Sequence, residues 1–324
     1  MPIFLVSALA MITGYASNSQ AKDKEFTVGA FLQPSPIQYG LGLDRYKDNI
    51  NFTIIDSSAA AFPLMINGTL AGLTNVSLLP TAIGISKKLK LKIIWMDIVE
   101  PDVFVVSPDI KTAQDLKGKK IGTVTGSLTD YMLAKYLTIN NLTESDIVKV
   151  NLESQSTATA FETKQIDGAF IWPPFWNQMV ASGGHILAES GKGGIPKGFQ
   201  LYIFSDRFIK DNRKELQEFV CTTALAQKDM LNEYPKALSV MAKRVGISEE
   251  GVKAALPKDS IIPPKDVVTS EWLGDLPNNI YDAAKWGEGL GIISHAPTVN
   301  EIGSYIDPSF AQYVADGKCS GMGG

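Results

Sequence analysis

Three short stretches place hydroxyl and amide side chains where an apolar run gives way to a helical pattern: Asp56-Ser57-Ser58, Thr74-Asn75-Val76-Ser77 and Thr125-Gly126-Ser127-Leu128-Thr129. A strand that turns into a helix there leaves first-turn N–H groups without intrahelical acceptors, beside the positive end of the helix dipole. Such a turn suits an anion. Segments 28–43, 54–66, 73–84, 121–132 and 166–178 contain no Lys or Arg, so an anionic group bound among them is held by N–H and O–H donors and released easily. One junction alone is explained equally well by helix capping, worth about 1 kcal/mol. The binding reading rests on three of them converging on one sheet edge.

Asp130 has two readings. Ser127-x-x-Asp130 is close to a capping box, in which the carboxylate bonds back to the Ser127 N–H and meets no ligand; alternatively Asp130 faces a cleft and meets a ligand cation. Trp172 ends an apolar run and precedes Pro173-Pro174, and Tyr202 lies in a long apolar stretch. Either ring could cover an alkyl chain or an ammonium group, worth about 0.5–2 kcal/mol, or could simply be core. Gln33, which follows the first apolar run, joins the same set, while Phe31, Trp95, Trp176 and Trp272 are weaker aromatic candidates.

These residues need a scaffold. From residue 26 the chain alternates short apolar runs with helical patterns (FTVGAFL, NFTIID, AGLTNV, LKIIWM), and a second cycle starts at residue 112 (KKIGTV, DIVKVNL, IDGAFIW, HILAE). Strand–helix repeats of this kind predict an α/β fold on mostly parallel sheets. The expected division is a leader at 1–21, a first lobe at 22–107, a second at 108–199, and a return to the first lobe at 200–324, mainly helical with a flexible C-terminal tail. DVFVVSP and FQLYIFS are read as the two strands that cross between lobes and form a hinge. A ligand belongs between the lobes, at the carboxyl ends of the strands.

Composition narrows the function classes. The chain has 324 residues, 45% hydrophobic and 20% charged, with a net charge of -4, which gives no basic surface for nucleic acid. The first 21 residues carry no charge and end in Ser19-Gln20-Ala21 before KDKEF, the pattern of a secretory signal peptide without its usual basic start. Cleavage after Ala21 and retention as an anchor both fit. No later run is long enough to span a bilayer, so export to the periplasm is expected. Cys221 sits at helical spacing and reads as a small buried hydrophobe, Cys319 lies in the Gly-rich tail, and a bridge between them is compatible with an oxidising compartment. His185 and His295, the only two histidines, occur in loop-like contexts, and no hydrolase, zinc or phosphate-loop signature appears. No cofactor or metal is expected.

The phrases DLKGKKIGTVTGSLTDYMLAKYL and QIDGAFIWPPFWNQM resemble the periplasmic binding proteins of the taurine, alkanesulfonate and nitrate group of ABC importers. FTVGAFLQPSPIQYG, IIDSSAAAFPLMING and AGLTNVSLLPTAIG match in order and spacing, so the resemblance covers 26–208 and fades through the C-terminal helices. Lys164-Gln165 depart mildly from the family's usual Arg-Gly or Lys-Gly. The resemblance implies a two-lobed clamshell of type II that does no catalysis, acts as a monomer and delivers a small organosulfonate, first of all taurine, to an inner-membrane permease. It makes Asp102 the first choice to hold an ammonium group, with Glu100 a weaker one. At a second position where similar proteins often carry Asp this chain has Gln200, which leaves an alkanesulfonate, a betaine, nitrate or a pyrimidine open as ligand. The implied site is Gln33, Ser57, Ser58, Asn75, Ser77, Asp102, Ser127, Thr129, Asp130, Trp172, Gln200 and Tyr202. Some relatives on this fold are enzymes with a cysteine in the cleft, a place that neither Cys221 nor Cys319 suits.

Overall fold

Runs rich in β-branched and aromatic residues form strands β1 (Phe26–Ala30), β2 (Ile50–Ile54), β3 (Gly72–Val76), β4 (Leu91–Glu100), β5 (Val103–Val106), β6 (Lys120–Thr123), β7 (Val148–Asn151), β8 (Gly168–Ile171), β9 (His185–Glu189) and β10 (Gly198–Ser205). The computed structural model of the chain describes residues 25–55 and 58–321; the expected leader, Asp56 and Ser57 lie outside the described residues. The strands make two sheets of five, in the orders β2-β1-β3-β10-β4 and β7-β6-β8-β5-β9. In the first, β1 runs parallel to β2 and β3 while β10 is antiparallel to β3 and β4. The second repeats the plan: β6 is parallel to β7 and β8, and β5 is antiparallel to β8 and β9. Every residue of β3 and β5 is buried, as is all of β10 except its last residue, the continuous apolar character expected of strands covered on both faces.

Helices α1 (Pro36–Gly42), α2 (Ser58–Ile66) and α3 (Leu78–Ser86) follow the first three strands, and α4 (Leu128–Ile139), α5 (Ser154–Glu162) and α6 (Phe175–Ala181) follow those of the second sheet. The chain then returns through β10 to α7 (Asp206–Asp211), α8 (Arg213–Asn232), α9 (Tyr234–Val245), α10 (Glu249–Ala255), α11 (Leu276–Gly289), α12 (Val299–Gly303) and α13 (Ser309–Ala315). Close packing of β10 on β3 needs Gly72, where a Cβ would sit 2.4 Å from the Phe204 ring. Behind the sheet the Phe204 and Phe219 rings lie 5.6 Å apart.

Three sequence expectations change. The DVFVVSP strand does not cross between lobes: β5 pairs along its whole length within the second sheet, because four consecutive apolar residues need both edges and faces covered. The second lobe therefore starts near residue 103 rather than 108, and the chain passes over in two residues, Pro101 and Asp102. FQLYIFS likewise belongs wholly to the first sheet, and the return passage is the loop 190–197 before it. Ser190 ties the passages together, its N–H donating to the Asp102 carbonyl at 2.9 Å and its hydroxyl to the Glu100 carbonyl at 2.7 Å. His185, expected in a loop, opens β9 and pairs with Val106.

The C-terminal segment is not a loose tail as far as it is described. Phe310, Ala311 and Val314 of α13 are buried, Cys319 is 3% exposed, and Cys319 forms a disulfide with Cys221 of α8. Short segments from this region also bridge the edge strand β4, Ile261 beside Ile98 and Ile306 beside Ile93. The bond closes a separation of 98 residues, and a loop of that size loses considerable unfolded-state entropy when cross-linked. Cys319→Ser is expected to lower the unfolding free energy by about 2–4 kcal/mol, measured by urea denaturation, with a reductant doing the same to the unmodified protein. An unchanged midpoint in both cases would show that the bond contributes nothing.

Candidate functional site

The carboxyl ends of the strands from both sheets face each other across a cleft of about 500 Å3. From the first sheet come Phe31, Gln33, Pro34, Ser58, Asn75, Ser77 and Gln200; from the second come Gly126, Ser127, Leu128, Thr129, Trp172 and Pro173; the passage between them supplies Glu100, Pro101 and Asp102. Of the implied set, Gln33, Ser58, Asn75, Ser77, Asp102, Ser127, Thr129, Trp172 and Gln200 are brought together here, and Ser57 is outside the described residues.

The donor side is built by helix starts. Ser77 caps α3 from an extended backbone but makes no side-chain cap bond, so its hydroxyl is not committed to the helix. Ser127 does cap α4, accepting from the Asp130 N–H at 3.2 Å, and its hydroxyl lies 3.0 Å from that of Thr129. Gly126 takes φ +76 to make the turn, a conformation costly to most other residues. Asn75 sits in the same left-handed region at φ 61. It is 4% exposed, and both polar atoms of its amide have no partner. A buried amide left unpaired costs roughly 1–3 kcal/mol, and backbone strain combined with unmet hydrogen-bonding capacity marks a residue that serves something not in the chain.

Opposite lie the acids. Asp102 is 2% exposed, with its Oδ1 unpartnered, and burial pushes its carboxyl up to about 7. Burial also raises Glu100, with the neighbouring Asp102 charge adding to the rise and a hydrogen bond from Gln200 offsetting part of it. That bond runs from Gln200 Nε2 to Glu100 Oε1 at 2.9 Å, and Gln33 Nε2 in turn donates to Gln200 Oε1 at 2.7 Å. Apolar walls complete the space, from Phe31, Ile98, Trp172, Ala255 and Leu256. Ala255 and Leu256, at the end of α10, were not anticipated, because nothing in a short helix late in the chain announces that it reaches the first sheet.

Two implied residues are elsewhere. Asp130 is fully buried and used by its own lobe: its carboxylate accepts from the Gly126 N–H at 2.9 Å and the Thr123 hydroxyl at 3.1 Å, and pairs with Lys149 of β7 at 2.8 Å. The capping reading is right in kind but not in detail, since the Ser127 N–H bonds the Val124 carbonyl instead. Tyr202 is fully buried under α8 and donates its hydroxyl to Asp97. Gln200 reaches the cleft while Tyr202 does not because the strand register shifts after Gln200 and again after Tyr202. Trp95 is core, bonding Gln227. Trp272 packs on Phe199 outside the cleft, and Trp176 does not line it.

Comparison with known proteins follows this geometry. Residues 99–237 match the family model described as NMT1/THI5 like. Over an alignment of 324 residues it is 23% identical to the taurine-binding periplasmic protein of Escherichia coli K12, covering 95% of this chain and 98% of that one. The periplasmic aliphatic sulphonate binding protein SsuA of Escherichia coli superposes with a TM-score of 0.71 at 15% identity, covering 86% of this chain and 92% of its own. The desulfurization enzyme DSZB superposes with a TM-score of 0.67 at 11% identity, covering 91% and 100%. The fold is therefore the two-lobed α/β clamshell, and the family resemblance read from the motif phrases is borne out.

The buried acids give a pH dependence whose sign is fixed. Asp97, hydrogen-bonded by Tyr202, is raised by burial to about 7, as is Asp102. Between roughly pH 4 and 7 the folded state thus binds more protons than the unfolded chain, and stability falls as pH rises, on the order of 1 kcal/mol per unit for each such group. Carboxylates with lowered values, such as Asp109 at about 2, are ionised in both states above about pH 5 and leave the part of that window from about pH 5 upward unaffected. The empty protein is expected to have a lower urea midpoint at about pH 8 than at about pH 5, with Asp97→Asn removing part of the difference. A flat profile in the unmodified protein would contradict these assignments.

Proposed function

We propose that this chain is the solute-binding protein of an ABC importer, capturing taurine between its lobes and handing it to an inner-membrane permease. One juxtaposition carries the reading. Asn75, with its amide unpartnered, and the helix starts at Ser77, Ser127 and Thr129 share a cleft with Glu100 and with Asp102, whose Oδ1 is unpartnered, and among the described residues no Lys, Arg or His lines it. An anionic group without a cation would meet two carboxylates and no opposing charge; a zwitterion answers both ends. The sulfonate is assigned to the donor side and the ammonium to Asp102 and Glu100, with Trp172 and Phe31 against the two-carbon link. Exchange of an anion held by dipoles is rapid, as delivery requires. The taurine-binding periplasmic relative supports the ligand and a periplasmic location, and the leader-like pattern of residues 1–21 is consistent with export.

Capture without chemistry is the reading here, although a desulfurization enzyme shares the fold. Among the described residues no cysteine or histidine lines the cleft, and Cys221 and Cys319 are joined in the disulfide. A thiolate nucleophile has no candidate.

Asp102→Asn is expected to weaken taurine at least tenfold, the scale of a lost charge-assisted hydrogen bond at about 1.5–3 kcal/mol, while leaving any binding of ethanesulfonate, which lacks the amine, unchanged or improved. Asn75→Ala should weaken both sulfonates. Titration calorimetry of each variant against both compounds tests this, and equal losses of the two ligands in Asp102→Asn would remove the amine from the assignment.

A further inference from the structure

Glu100 and Asp102 flank Pro101 in the cleft, and what surrounds them offers little to two negative charges. Asp102 Oδ1 has no partner, and the one side-chain bond to Glu100 comes from a neutral amide, Gln200, whose oxygen is already taken by Gln33. The nearby ionisable groups are committed elsewhere. On β4 and β10, Asp97 and Tyr202 bond each other in the core. Behind the start of α4, Asp130 is paired with Lys149. On β9 and the return passage, Lys192 is paired with Glu189 and Lys197 with Glu271. The end of α10 brings Ala255 and Leu256, which carry no charge.

Two neighbouring carboxylates, Asp102 buried and Glu100 half-buried, with no fixed cation beside them, resist ionising together; they titrate as a unit and retain a proton. Burial raises both groups, and the charge of Asp102 raises Glu100 further. We propose that the Glu100–Asp102 pair holds a proton in the empty cleft and gives it up when a ligand's cationic group docks, so that capture of an amine-bearing solute releases one proton to the solvent. No covalent bond changes: the ammonium replaces the proton as the counter-charge. Gln200 is then a positioning residue for Glu100 rather than a contact to the ligand, which accounts for an amide at a position where an acid would put a third negative charge into the cleft. The inference rests on the amine-bearing ligand proposed above.

Proton release makes affinity rise with pH. Asp102 is raised to about 7 and Glu100 is raised beside it, so in mildly acidic solution the empty pair holds a proton that the complex does not, and between about pH 5 and 7 the dissociation constant of taurine is expected to fall up to tenfold per unit. Titration calorimetry of the purified protein with taurine at about pH 6, in phosphate and in Tris, reads the released proton directly, because the two buffers take it up with different heats. The expected result is a buffer-dependent enthalpy corresponding to about one proton, reduced to well under half in Glu100→Gln and unchanged in Asp97→Asn, a raised carboxyl that does not line the cleft. Taurine binding with the same enthalpy in both buffers would overturn proton release while leaving the amine reading intact. So would unaltered release in Glu100→Gln. Absence of any heat with taurine and with other aminoalkanesulfonates would overturn both.

Discussion

Between Glu100 and Val103 the chain leaves one sheet and enters the other, and of the two carboxylates at that step Asp102 is buried and Glu100 half-buried, with no basic side chain among the described residues lining the cleft to answer them. Keeping charge there is expensive, and the fold does not spend a lysine or arginine to relieve it. The acids are instead left for something that comes and goes. The rest of the cleft is consistent with that choice. Its other pole is assembled from helix starts and a strained asparagine, groups that attract an anion without fixing one by a full charge.

The same economy explains what is absent from the cleft lining. A lysine near Ser127 would strengthen the hold on an anion but would also neutralise Glu100 and Asp102 in the empty protein, removing the preference for a ligand that brings its own cation. Lys149 shows how this is avoided: its ammonium is turned to Asp130 behind the α4 turn, where it supports the helix start instead of entering the cleft. Selectivity by charge pattern and ease of release are thus two results of one arrangement.

Much of this could be read in the sequence because strand–turn–helix junctions are local. Ser58, Asn75, Ser77, Ser127 and Thr129 are placed by the strands immediately before them, and the order of those strands follows the chain. Residues whose role depends on partners distant in sequence were less legible. Asp130 could not be assigned without knowing that Lys149 lies on the adjacent strand, nor Tyr202 without the register shifts of β10 that separate it from Gln200. The apolar wall of Ala255 and Leu256 comes from C-terminal helices that carry none of the motif phrases, and Cys319 lies 98 residues from its partner in a segment whose glycines suggest freedom. The passage between lobes was misread for a different reason: β5 has the apolar character of a central strand, and composition alone does not say which sheet it is central to.

Of the two connections between the lobes, one is a two-residue link at Pro101-Asp102 and the other the loop 190–197, stitched to the first by Ser190. A short link beside a longer one, joined by those bonds, defines an axle. In any swing of one lobe against the other, displacement grows with distance from that axle, so Asp102, which lies on the shorter link, moves least. The acidic end of the cleft is thus held by the links themselves, and a ligand group that docks there is placed largely independently of how the lobes stand to one another.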